Sequence, residues 1–398
     1  MKNGWTGGQY SLFRFLFGTY LLIHFLALLP YSAEMFSSGG MVSDPTLSPF
    51  YGIFPSPLMF SNSVFMAMSL NVIAIVSAIF LAIGKWDRIA AFLLWYILTS
   101  LFCHNPLILN PSMPFVGWLL LAHLFVPKAP FGSLAAKDRL DPGGGWVMPR
   151  GIFFASWALL AISYTYSGVL KLDSPSWIDG TAIWHVLQNP LARPTFLREA
   201  LLHFPEWFFK LATWSSLFLE VSFVFLALFR RVRPWAWLAI VMMHLGILLL
   251  VNFADLTVGM LMVHLFTFNP NWIKPDPIKE KLFVLYDGSC GFCHGFIKFI
   301  LSENKNAFNF RFSPLQDKQA NTIVVKEGEI VLTKSQAVIR VLKSLGGYWK
   351  VLGFIISFIP TRLCDAVYSL IARVRHRLFR KPEGACPVMP KDLRIYFE

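Results

Sequence analysis

The chain is expected to form a polytopic α-helical membrane bundle of about eight transmembrane helices, followed by a small α/β thioredoxin-like domain. Three observations predict this. Of 398 residues, 56% are hydrophobic and 14% charged, an apolar balance that points to a membrane chain. Apolar runs suited to crossing a hydrocarbon layer of ~30 Å recur through the first two thirds. Residues 281–294, KLFVLYDGSCGFCH, then join a β-rich run, an Asp-Gly turn and a Cys-x-x-Cys pair.

The apolar runs lie near residues 10–29, 63–84, 89–103, 114–126, 151–172, 207–229, 234–251 and 256–272. The first has no small-residue cleavage site after it and reads as a retained span. Lys85 and Arg88, then Lys128, Lys137, Arg139 and Arg150, then Arg230, Arg231 and Arg233 fall in alternate connections. The inside-positive rule then predicts a multi-pass protein of the inner (plasma) membrane with both termini cytoplasmic, against which only Arg193 and Arg198 count. The net charge of +13 is therefore explained by orientation in the bilayer, and no nucleic-acid partner is expected. Residues 1–272 form the membrane domain, the proline-rich 273–280 a stiff linker, and 281–398 the soluble domain with a helical basic tail.

Within that domain, residues 282–286 read as a buried strand. Ser289 is placed to cap a helix beginning at Cys290, where the backbone N–H groups and the macrodipole favour a thiolate. Cys293, one turn on, lies on the same face. A strand at 309–312, a hairpin at 322–325 and 329–333 turning at Glu327-Gly328, and an amphipathic helix at 335–345 complete a thioredoxin-like order. No proline precedes Thr322, where thioredoxins place a cis-proline facing the cysteines. The apolar but interrupted 349–370 region, running into basic residues 373–381, reads as helices packed on the domain or lying on anionic lipid.

The C-terminal blocks resemble the DCC-type thiol-disulfide oxidoreductases. They are Tyr286-Asp287-Gly288-Ser289-Cys290-Gly291-Phe292-Cys293, Lys334-Ser335-Gln336-Ala337, Leu345-Gly346-Gly347, Asp365-Ala366-Val367-Tyr368 and the late Cys386. The resemblance implies a thiol-redox fold. Residues 164–172, YTYSGVLKL, with His104-Asn105-Pro106, Glu220 and His244, resemble the HTTM membrane module shared with vitamin K-dependent gamma-carboxylases. There the lysine equivalent to Lys171 is regarded as the base acting on a quinol. The propeptide-binding lumenal region of those enzymes is missing, so a carboxylase of propeptide-bearing proteins is not expected.

These readings yield the candidate residues. Cys290 is the nucleophile toward a disulfide or an oxidised sulfur, and Cys293 resolves the mixed disulfide, exchanging with a protein or small redox thiol. Cys386 is a third, resolving thiol or a packing residue. A cytoplasmic setting would keep the pair reduced and direct it toward reduction. Asp287 either relays a proton with Cys293 or is a turn residue, and Ser335 either bonds near the cysteines or caps its helix. The competing reading is a zinc-binding, non-enzymatic scaffold with Cys290, Cys293, Cys386 and His294 as ligands. In the bundle, Lys171 with His104 forms a candidate base site for a quinone or lipid-like ligand in a peptide-modifying or quinone-linked reaction, against a bland reading in which Lys171 snorkels to the headgroups. His123, His244, His264 and Glu220 read as interhelical hydrogen-bonding groups, which would hold a haem or metal only if two or more converged.

Overall fold

Ser63 accepts the Met66 N–H at the start of one apolar helix, and Gly84, left-handed at φ +69°, closes its end. A side chain at Gly84 would also collide with the Arg14 guanidinium. Local signals of this kind set the helix limits in the computed structural model, which describes residues 3–41, 44–139, 141–304, 309–315, 322–378 and 391–397. The principal helices of the apolar part are α1 (Gly7–Leu28), α2 (Val64–Ile83), α3 (Asp87–His104), α4 (Met113–Phe125) and α5 (Arg150–Lys171). They are followed by α6 (Glu206–Val221), α7 (Phe223–Leu228), α8 (Arg233–Leu250) and α9 (Ala254–Thr267), with shorter turns between.

Four stretches among the described residues are long and apolar enough to cross a membrane: Gly7–Phe36, Val64–Ile83, Arg150–Lys171 and Arg233–Leu250. The expectation of eight is therefore met only as several apolar helices. α4 and α9 have 13 and 14 residues, short for the ~30 Å that takes about 20 residues to span. α3 carries Asp87 and Arg88 in its first turn. The run expected at 207–229 is broken at Ser222, whose hydroxyl bonds back to the Phe218 carbonyl while Thr165 takes the Val224 N–H. Close helix approach uses small residues, as at Gly18, where an added Cβ would lie 2.7 Å from the Ala82 nitrogen.

Two compact units emerge. One comprises residues 13–126 and 149–268; the other gathers residues 2–12, 127–148 and 269–398. The second thus draws in two segments that the sequence reading assigned to the membrane domain. Its sheet consists of β1 (Leu282–Tyr286), β2 (Phe310–Pro314), β3 (Val324–Glu327) and β4 (Ile330–Thr333), in the order β2-β1-β3-β4. β1 runs parallel to β2 and antiparallel to β3, and β4 closes a hairpin over Gly328, at φ +57°. Helices α10 (Gly291–Glu303), α11 (Lys334–Leu345), α12 (Gly347–Ser357) and α13 (Thr361–Leu378) complete the unit. This is the expected β-α-β then β-β-α order. α12 and α13 meet at a bend of 115°. Leu282, Val284, Phe310, Phe312, Ile297 and Val341 form the core together with both cysteines of the pair.

Candidate functional site

β1 delivers the chain to Asp287, and a tight turn follows. The Asp287 carboxylate accepts from the Ser289 N–H at 2.9 Å and from its hydroxyl at 2.7 Å. Ser289 is thereby consumed by the turn, and the helix cap is Cys290 itself, whose Sγ accepts the Cys293 N–H at 3.4 Å. The expected Ser289 cap is corrected by one residue. The consequence is chemical, because the sulfur rather than a hydroxyl occupies the helix N-terminus.

Both sulfurs are free thiols, and the two residues are 1% and 2% exposed. Burial, and then the neighbouring Cys290, push the Cys293 thiol up to about 12. Cys293 is thus held as a thiol. His294 gives its Nε2–H to the Gly288 carbonyl at 3.0 Å and packs edge-on against Tyr286. Among the described residues no group of three His, Cys, Asp or Glu side chains is placed to hold a metal; Cys386, the remaining candidate ligand and candidate third thiol, lies outside them.

Helix α13 supplies what the sequence reading missed. Arg375, assigned there to a basic tail, is 2% exposed and ion-pairs with Asp287 at 3.1 Å. Asp287 therefore joins the turn to α13 as well as shaping the turn. The Tyr368 hydroxyl accepts the Ile323 N–H of the strand-entry segment at 2.8 Å. That segment is where a cis-proline is absent, and there is no cis peptide bond among the described residues. Asp365 accepts the Ser335 hydroxyl at 2.5 Å and its N–H at 3.2 Å, so a carboxylate from α13 caps α11. The Ser335 bond holds that carboxyl below the usual range. Ser335 therefore bonds neither the cysteines nor its own helix.

Deeper in the same unit, Glu303 at the end of α10 is buried and accepts from the Gly8 N–H at 2.8 Å and the Trp349 indole at 2.6 Å, with Thr6 also bonded. Burial raises its carboxyl above the ordinary value.

In the apolar unit, Lys171 ends α5, but its ammonium is taken up by Glu220 at 2.6 Å and by the face of Trp177 at 4.5 Å. His104 borders a space of about 10 Å³ beside Cys103, room for one water at most. Lys171 and His104 do not line that space together. Two of the buried histidines do converge: the Tyr164 hydroxyl lies 2.6 Å from His244 Nε2 and 2.9 Å from His264 Nε2. His123 instead joins Arg14 around Asp87, at 3.4 and 3.5 Å.

Residues 284–381 match the family described as DCC1-like thiol-disulfide oxidoreductase. The uncharacterized protein YuxK of Bacillus subtilis is 31% identical over 113 residues, which cover 25% of this chain and 80% of that protein. A chloroplastic DCC family protein of Arabidopsis thaliana is 26% identical over 132 residues, 29% of this chain and 76% of its own length. No solved structure matches. The resemblance of the N-terminal residues to the HTTM module, and with it the carboxylase-like reading, finds no support in these comparisons. A Cys-x-x-Cys pair at the mouth of a helix, in a domain that covers four fifths of a 31% identical relative, places the chain in the DCC1-like thiol-disulfide oxidoreductase family.

Proposed function

We propose that the chain is a membrane-integral thiol-disulfide oxidoreductase in which Cys290 is the nucleophile and Cys293 the resolving thiol. The observation that carries this reading is the asymmetry of the pair. Cys290 occupies the helix N-cap, while Cys293, as deeply buried one turn on, is held as a thiol. Cys290 sulfur attacks a substrate disulfide, forming a mixed disulfide and releasing one sulfur, which leaves with a proton. Cys293 then gives up its proton and attacks Cys290, releasing the second substrate thiol. Two cysteine thiols are oxidised and one disulfide is reduced.

Membrane integration rests on the four long apolar helices, and the inside-positive pattern favours a cytoplasmic thiol domain at the plasma membrane. The bent α12–α13 pair, with exposed Phe354, Phe358, Leu363 and Leu370, suits contact with lipid. The Lys171–Glu220 ion pair accounts for Lys171 structurally, so the thiol site is preferred over a quinone-linked base in the bundle. In the full-length protein, Cys290→Ser should abolish reduction of a model disulfide, whereas Cys293→Ser should accumulate the mixed disulfide. A wild-type protein that never forms a Cys290–Cys293 disulfide on mild oxidation would sink the reading.

A further inference from the structure

Beside the thiol pair lies a cavity of about 440 Å³, within the range of roughly 300–1,000 Å³ typical of small-molecule sites. Cys293 forms part of its wall, and Phe296, Val338, Ile339, Val367 and Ala372 form much of the rest. The polar groups at its edge are already engaged. Ser335 bonds Asp365, Tyr368 takes the Ile323 N–H, and Arg375 pairs with Asp287. A charged or strongly hydrogen-bonding thiol, such as a small acidic peptide, would be desolvated there without new partners. An apolar molecule would gain from every contact. Toward the outside the wall is built by Ile359, Leu363 and Ile371, which are 45%, 59% and 41% exposed, so the mouth is apolar too. Both cysteines are nearly inaccessible to water, and this cavity opens onto Cys293.

We propose that this cavity is the substrate pocket of the thiol pair and that it takes an uncharged, lipophilic substrate, its apolar chain or ring in the cavity and its oxidised sulfur presented from there to the Cys290–Cys293 pair. The assignment rests on the thiol-exchange reading above and names its substrate class.

The test uses reduced full-length protein in lipid nanodiscs and two methanethiosulfonate reagents, one with a hexyl group and one with a charged sulfonatoethyl group. Each converts a thiolate to a mixed disulfide and releases methanesulfinate, and peptide mapping reads the modification at Cys293. The hexyl reagent should modify Cys293 at least ten-fold faster. Ala372→Phe, which fills the cavity from α13, should remove most of that advantage while leaving the charged reagent unaffected; Val338→Phe, from α11, should do the same and serves where the first variant fails to assemble. Because the hexyl reagent also concentrates in lipid, the variants decide. A hexyl rate insensitive to both, or both reagents slowed alike, overturns the proposal. The same measurement on Cys290→Ser does not depend on disulfide turnover. A lipophilic pocket without exchange activity is thereby distinguished from an active pair with a different route of entry.

Discussion

Cys293 sits one helical turn from Cys290, and its thiol is raised by burial and by that neighbour. A thiol raised to about 12 from an ordinary 9.0 carries almost no thiolate near neutrality. Alkylation of Cys293 in the reduced protein should therefore keep rising about ten-fold per pH unit above pH 9, where a free cysteine has levelled off; mass-resolved alkylation rates between pH 7 and 11 check this. Arg375 works against that rise, since its charge favours a Cys293 thiolate while Asp287 opposes it. Arg375→Met should remove the favourable charge and lower the Cys293 alkylation rate further. It should also cost about 3 kcal/mol of stability, the low end for breaking a buried pair, because Asp287 keeps 20% exposure. Denaturation of the variant beside Arg375→Lys, which keeps the charge, separates the two effects.

At the scale of elements, α13 acts as a strap whose three polar ties reach the turn before the pair, the entry to β3 and the start of α11. Tyr368→Phe removes the acceptor of the Ile323 N–H and should cost about 1–3 kcal/mol, with faster hydrogen exchange confined to the β3 entry. Asp365 ties α13 to α11 with a carboxyl held below its ordinary 3.8. A depressed folded value means that this contribution is present above the unfolded value and is lost as pH falls through the folded one. Exchange at the Ser335 amide should accordingly rise below about pH 4, and Asp365→Asn, which keeps an acceptor oxygen, should flatten that dependence. These ties also show what could be read beforehand. β1, the Cys-x-x-Cys helix, the hairpin and α11 follow from patterns a few residues long, and all were legible. Arg375–Asp287 spans 88 positions and Ser335–Asp365 spans 30, and no local periodicity reports such a pairing. Arg375 looked like one more charge in a basic run. The apolar but interrupted 349–370 run pointed to helices on the domain or on lipid, and the family resemblance singled out Asp365 and Tyr368 within it, but neither assigned a partner to either residue.

For the whole molecule, the second compact unit is assembled from three stretches of chain, and Glu303 shows why the first of them matters. Its carboxylate receives Gly8 and Thr6 from residues 2–12 and Trp349 from α12, so an acid that would be expensive to bury alone is surrounded by donors. The division read from the sequence at residue 272 had no signal for this, because residues 2–12 lead directly into an apolar run. A chain lacking residues 1–12 should leave Glu303 short of two donors, and hydrogen exchange should quicken at the end of α10 and the start of α12. Glu303→Gln tests the same contact with the chain intact, since an amide offers one acceptor oxygen where the carboxylate offers two, at a cost of about 1–3 kcal/mol. The pH dependence has the opposite sign to that of Asp365. Glu303 has a raised folded value, so the part of its stabilisation that comes from holding a proton is complete below the unfolded value near 4.5 and fades as pH rises through the folded one. Glu303→Gln should abolish that fade, and a variant whose stability curve still falls over the same interval would assign it to another group.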